Sequence, residues 1–236
     1  MRSPVRLPVP PRAAMVFAAG LGTRMGELTR TRPKPLIEVA GRPLIDHALD
    51  LVRAAGPERV VVNTHAHAGM LAAHLAGTGA ILAHEPELLE TGGGLKAALP
   101  LLGPGPVFTL NADMVWRGPN PLEALAAAWT PGMGALLALI PREAAQGHGG
   151  AGDFTLDAAG RVARRGAAAA APYVFAGAQI LDPAVLDRFA PGKFSLNLAW
   201  DALLAEGRLH GLVWRGAWVD VGRPEGIALA EAELAR

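Results

Sequence analysis

Cysteine is absent from the chain. That excludes a disulfide framework and thiolate chemistry, and it suits a reducing compartment, so a cytoplasmic protein is expected. Excess basic charge is also missing, the formal net charge being +1 over 236 residues. General nucleic-acid binding needs a basic face that neutralises many phosphates, so no nucleic-acid partner is expected. No apolar run reaches the ~20 residues of a membrane span. The opening MRSPVRLPVPPR has no apolar h-region and does not read as a signal peptide. No membrane partner is expected. The prolines of that opening favour an extended or disordered arm over residues 1–13. The string G-x-x-x-x-G-K-[ST] occurs nowhere, which removes the P-loop.

What is present reads as one α/β domain over residues 14–236. Ala14–Ala18 is a wholly apolar run, the pattern of a strand buried on both faces. Leu44, Ile45, Ala48, Leu49 and Val52 form a helical stripe between Pro43 and Gly56, residues suited to a first turn and a C-cap. Strands are expected at 59–63, 80–83, 106–110 and 134–140, with helices at 70–75, 94–102 and 120–129 between them. Short connections in a strand–helix alternation imply a doubly wound, mainly parallel (Rossmann-like) mixed sheet. After residue 140 the pattern changes. A hairpin is expected from 154–156 and 161–163, then strands at 173–181, 209–214 and 218–221, and helices at 196–206 and 225–234. Residues 14–140 thus form a nucleotide-binding half and 141–236 a second half with a small β lid.

The stretch FAAGLGTRMGELTRTRPKPLI, Phe17 to Ile37, carries the first functional signal. Gly20 and Gly22 begin a dinucleotide fingerprint, but its third position falls on Met25, and the next strand ends at Asn63 rather than at an acid. A plain Gly-rich turn with solvated arginines is the bland alternative. The pattern Gly20-Leu21-Gly22-Thr23-Arg24, followed by Pro33-Lys34-Pro35, resembles the signature of the sugar-1-phosphate nucleotidyltransferases. It departs at Gly26-Glu27, where that family has a residue followed by Pro.

The resemblance implies a nucleoside triphosphate on this loop, with Ala18, Ala19, Gly20, Gly22 and Thr23 offering backbone to the phosphates. Glycines let N–H groups approach an anion closely. Arg24 would clamp the leaving phosphates and Lys34 the α-phosphate. The nucleophile of such a reaction is a phosphate oxygen, deprotonated near neutral pH because its second pKa is about 6, so no general base is required. A divalent cation is required instead, and Mg2+ takes one or two carboxylates besides phosphate oxygens and water. Asp113 follows the strand VFTL through Asn111-Ala112, at the edge where open α/β sheets bind ligands. Asp220 sits inside WVDVG, where an acid needs a cation or donors. Both match the family's N-x-D and W-x-D-V-G. Asp113 could otherwise be an ordinary turn residue. Arg223 stands where the family commonly has Thr.

By the same resemblance, Glu85 and the turn at Thr91-Gly92-Gly93-Gly94 would meet the base. A carboxylate accepts from N3–H of uracil or thymine and equally from guanine's N1–H and amino group, so the base stays open. Glu85 could instead be a solvated loop acid. The sugar would lie against Gly152, Asp153, Tyr173 and Gly177. Many relatives carry a Glu-Lys-Pro in this half that this chain lacks; Arg164 or Arg165 could supply the missing cation. The segments LLETGGG, GDFTLD, YVFAG and WVDVG look most like the N-acetylmuramate-1-phosphate uridylyltransferases of peptidoglycan recycling. Mannose-1-phosphate guanylyltransferase-like proteins share much of the set. The expected partners are therefore UTP or another NTP and a sugar-1-phosphate, on a monomer or small homo-oligomer without an appended β-helix acyltransferase domain.

Two rivals remain. His65, His67 and His74 in HAHAGMLAAH could open a metallohydrolase site, although Ala68-Gly69-Met70 follow where such enzymes have Asp-His. A non-catalytic sugar-nucleotide sensor could keep the fold, but it has no use for Arg24, Lys34, Asp113 and Asp220 together.

Overall fold

The computed structural model describes residues 10–236. The expected arm lies outside the described residues up to position 9. Residues 11–13 already belong to the fold, ahead of the expected start at 14: Pro11 is buried and Ala13 opens the first strand. The Arg12 carbonyl accepts from the Glu58 and Arg59 amides, and its guanidinium donates to Glu58.

The main sheet has nine strands. Its parallel part is built from β1 (Ala13–Phe17), with β2 (Glu38–Val39) and β3 (Arg42–Pro43) forming a separate short ribbon. Helix α1 (Leu44–Ala55) leads to β4 (Arg59–Thr64), α2 (Ala68–Leu75) to β5 (Ile81–His84), and α3 (Glu90–Leu102) to β6 (Val107–Asn111). β6, β1, β4 and β5 lie side by side in that order, all parallel. Alternate side chains of β1 enter opposite cores, Ala14 and Val16 toward α1, and Ala13 and Met15 toward α3. Burial on both faces is what the uninterrupted apolar run demands.

After β6 the chain turns at Ala112-Asp113 into β7 (Met114–Arg117), then passes through α4 (Pro121–Ala128), β8 (Ala135–Pro141) and β9 (Ala145–Gln146). The hairpin β10 (Phe154–Leu156) and β11 (Val162–Arg164) joins the main sheet through Phe154 and Tyr173. β12 (Tyr173–Leu181) is the long strand of the second half. It inserts antiparallel between β6 and β8, which makes the sheet mixed. Helix α5 (Leu196–Ala205), β13 (Leu209–Val213), β14 (Ala217–Asp220) and α6 (Glu225–Leu234) complete the chain. β13 extends the main sheet beside β8.

A three-stranded sheet, β7-β14-β9, stands apart and is covered by α6. β7 was not legible as a strand, because four residues directly after a turn carry little periodicity. Its pairing with β14 sets Met114 opposite Asp220. The chain therefore leaves the main sheet at Asp113 and returns beside it at Asp220. Among the described residues, no helix is long and apolar enough to cross a membrane.

Candidate active site

A cavity of about 400 Å³ opens at the C-terminal ends of β1, β4 and β6. Ala18, Ala19, Gly20, Lys34, Glu85, Thr91, Asn111 and Asp113 all line it, together with Asn63 and Ser195. Sequence reasoning did not single out Asn63. Its side chain accepts from the Ala18 amide at 2.7 Å and donates to Glu85 at 2.7 Å. A polar residue ending an apolar strand was the available signal.

Lys34 is almost fully buried, and its ammonium meets Asp113 Oδ2 at 2.5 Å. The loop places it there through Gly22. That glycine has φ +64°, and a Cβ on it would lie 2.9 Å from Lys34 Cβ. Only glycine tolerates both the backbone and the approach. Thr23 and Arg24 are exposed and lie outside the lining of this cavity. The loop turns outward at Gly22 into a 3-10 segment, Thr23–Thr29, and carries them away.

Arg24 reaches back toward Asp220. A Cβ on Gly222 would lie 2.7 Å from Asp220 Oδ1 and 3.2 Å from an Arg24 terminal nitrogen, so Gly222 leaves room for both groups. The turn of Asp113 and the end of β14 are tied together directly, the Val221 amide donating to the Asp113 carbonyl at 3.0 Å. Burial pushes the Asp220 carboxyl above its ordinary range, and the negative charge of Asp113 adds to the effect. Lys34, the Gly222 amide and Arg24 oppose it. Asp220 Oδ1 is buried and has no hydrogen-bond partner among the described residues. His148 Nδ1 lies 3.8 Å from the other oxygen, beyond hydrogen-bond distance.

These features fit a divalent cation. An unpartnered buried oxygen and a second carboxylate linked to it through one backbone hydrogen bond are the donor set Mg2+ accepts. Among the described residues, no three His, Asp or Glu side chains cluster to hold a metal. A two-carboxylate site whose remaining ligands come from substrate phosphates and water contains no such triad. The expected histidine cluster is not gathered either. His65 donates to the Glu85 carbonyl at 2.8 Å, and His74 lies 2.8 Å from Asp46.

The raised pKa has a testable sign. A carboxyl whose folded pKa lies above its unfolded value destabilises the fold once it ionises. Asp220→Asn is expected to raise the melting temperature near neutral pH in the absence of metal. The gain disappears in acid, below the ordinary carboxylate range, where both side chains are neutral. Thermal unfolding of both proteins across pH checks this; an equal or lower melting temperature for the variant at pH 7 counts against it.

Around the expected base site the local structure differs from a glycine turn. The Thr91–Gly94 segment is not a turn but the first turn of α3. Gly92 does not line the cavity. Its amide donates to the Phe194 carbonyl at 2.9 Å, and a Cβ there would lie 2.4 Å from the Phe194 ring. Its smallness serves packing. Glu85 is buried rather than solvated, and its oxygens already accept from Asn63 and from the Leu89 amide at 3.0 Å.

On the other side of Phe17, Thr91, Asn111 and Ser195 lies a second cavity of about 340 Å³. Asp153 and Arg164 line it, with Gln179, Asn197 and Trp200. Asp153 accepts from the Phe175 amide at 2.9 Å. The Arg164 guanidinium lies over Phe154 and Trp200 and is held by Asn197 and Asp201. Arg165 turns away to the carbonyls of Gly152 and Ala168. Gly152, Tyr173 and Gly177 do not line this cavity. Gly152 packs on the Ala171 carbonyl and Gly177 against Asn111, both at positive φ, and Tyr173 pairs in the sheet.

The description "MobA-like NTP transferase domain" matches residues 14–195. The chain is 44% identical to the N-acetylmuramate alpha-1-phosphate uridylyltransferase of Caulobacter vibrioides, over 95% of this chain and 98% of that one. It is 34% identical to the protein of the same name from Neisseria meningitidis serogroup B, over 89% and 92%. The structure of HddC from Yersinia pseudotuberculosis, complexed with GMP-PN, superposes with a TM-score of 0.75 at 18% identity, over 94% of this chain and 99% of that one. With the loop, the two acids and their sheet in place, the chain belongs to the MobA-like NTP transferases, within the sugar-1-phosphate nucleotidyltransferase family.

Proposed function

We infer that this chain transfers the uridylyl group of UTP to N-acetylmuramate-1-phosphate, releasing pyrophosphate, as a cytoplasmic step of peptidoglycan recycling. The reaction class rests on one observation above the others: paired Lys34 and Asp113 line a cavity of about 400 Å³, and Asp220, with its unpartnered oxygen, lies near enough to feel both charges. The choice of base and sugar rests on likeness to the Caulobacter protein.

The triphosphate lies along Ala18–Gly20, whose backbone carries no bulk toward the cavity; a Cβ on Gly20 would meet nothing within 4 Å. Lys34 sets a positive charge at the α-phosphate. Asp113 and Asp220 would hold Mg2+, which when bound neutralises phosphate charge and orients the phosphates. The sugar-1-phosphate occupies the Asp153–Arg164 cavity and presents a phosphate oxygen to the α-phosphorus. That oxygen forms the new bond to phosphorus, the bond to the bridging oxygen of the β-phosphate breaks, and the electron pair leaves with pyrophosphate. Arg24 stands on the departing side and stabilises the developing charge. Arg164 supplies the cation that the Glu-Lys-Pro of other relatives would supply.

A pyrophosphate-release screen tests this: each NTP against N-acetylmuramate-, N-acetylglucosamine-, glucose- and mannose-1-phosphate, with and without Mg2+. Release is expected with UTP and N-acetylmuramate-1-phosphate, and only with Mg2+. Release only with GTP and the mannose substrate would assign a guanylyltransferase. Tight sugar-nucleotide binding without turnover would assign a sensor.

A further inference from the structure

Arg223 has no counterpart in the reaction as described, yet it shares a surface depression with Arg24. That depression, about 490 Å³, is lined by both arginines, by Met25 to Leu28, and by Pro224 and Glu225. Among the described residues, neither Arg24 nor Arg223 forms an ion pair. Glu27 is committed to Arg30 at 2.6 Å. Glu225 is the one other acid lining the depression, and it sits in the first turn of α6, where the helix dipole favours it. Two guanidinium groups therefore face a common space with one uncommitted carboxylate. Exposed cations gathered this way repel one another unless an anion joins them.

Position identifies the anion. Arg223 follows Gly222, and Gly222 is the residue that leaves space for both Asp220 Oδ1 and the Arg24 guanidinium. Arg24 is therefore common to the depression and to the surroundings of Asp220. A group departing from the α-phosphorus on the Arg24 side enters it. A threonine cannot pair with a phosphate by charge, whereas an arginine forks onto one bidentately.

We propose that Arg223 and Arg24 together form an exit cradle for inorganic pyrophosphate, with Arg223 the second, outer cation. The proposal rests on the transferase reading, but its test separates the two. Binding of Mg2+-pyrophosphate to the protein, measured by calorimetry, requires no turnover. Arg223→Thr is expected to weaken that binding about tenfold, the size of one lost charge-assisted hydrogen bond. The inhibition constant of pyrophosphate in the forward reaction and its KM in the reverse reaction rise by the same factor. The KM of the sugar-1-phosphate stays unchanged, which a general loss of structure would not spare. Arg223→Lys recovers part of the affinity. Unchanged pyrophosphate affinity in Arg223→Thr, or no measurable pyrophosphate binding by the unaltered protein, overturns the cradle. Failure of the unaltered protein to form any sugar nucleotide overturns the transferase reading instead.

Discussion

Asp113→Asn lowers turnover by about 10²–10³-fold, the scale on which removing one positioned electrostatic group acts. The substitution keeps the volume and an acceptor for Lys34, so the buried ammonium is not stranded. A stability loss of about 1–3 kcal/mol is expected from exchanging a charged partner for a neutral one. The larger effect is chemical. Asp113 touches Lys34 and, through its carbonyl, holds β14 in place beside it. With its charge removed, the proposed cation site would keep Asp220 alone, and the Mg2+ concentration for half-maximal rate is expected to rise steeply. Single-turnover rates against Mg2+, with thermal unfolding as the fold control, check the result. Near-normal turnover would remove Asp113 from the chemistry and leave it an ordinary partner of a buried lysine.

The same residue shows how far the sequence could be read. The apolar run before Asn111-Ala112-Asp113 announces β6, and the position after its end announces a ligand edge. What lay beyond reading was β7, the short strand that turns Asp113 toward Asp220. The placement of β12 was equally hidden. Its limits, Tyr173–Leu181, are written in its apolar run, but its antiparallel insertion between β6 and β8 depends on partners 32 to 74 residues away and on the bulge between Phe175 and Gln179. Local pattern reports which face is apolar; it does not report which neighbour covers it.

Glycines mislead for a related reason. In the loop, Gly20 is bare to the cavity and Gly22 sits at positive φ against Lys34. Gly92 and Gly93 look the same in sequence, yet they are small because the 192–194 backbone and the Phe194 ring press on them. Gly94 is small because Glu85 does, at 2.4 Å from where its Cβ would be. A run of glycines signals close approach without naming what approaches. The carboxylate of Glu85, spent on Asn63 and Leu89, then holds the loop that ends the cavity.

Arg24→Ala is expected to lower turnover by a comparable factor, about 10²–10³-fold, with the fold unchanged. The residue is exposed and has no ion-pair partner among the described residues, so its removal costs stability little, about 0.5 kcal/mol or less. In the proposed reaction it acts chiefly on the charge that accumulates on the departing pyrophosphate. Two consequences distinguish that role from simple substrate affinity. The deficit lies in kcat and persists at saturating substrates, where a loss of affinity alone would be overcome. Arg24→Lys restores only part of the rate, because a point charge cannot fork onto two phosphate oxygens. Arg24 also lowers the energetic cost of an ionised Asp220. If that were its whole function, the variant would need more Mg2+ and regain full rate once supplied. Steady-state rates in both directions at saturating Mg2+ decide the matter: a deficit that persists there belongs to the leaving group, and a deficit that vanishes belongs to the carboxylate.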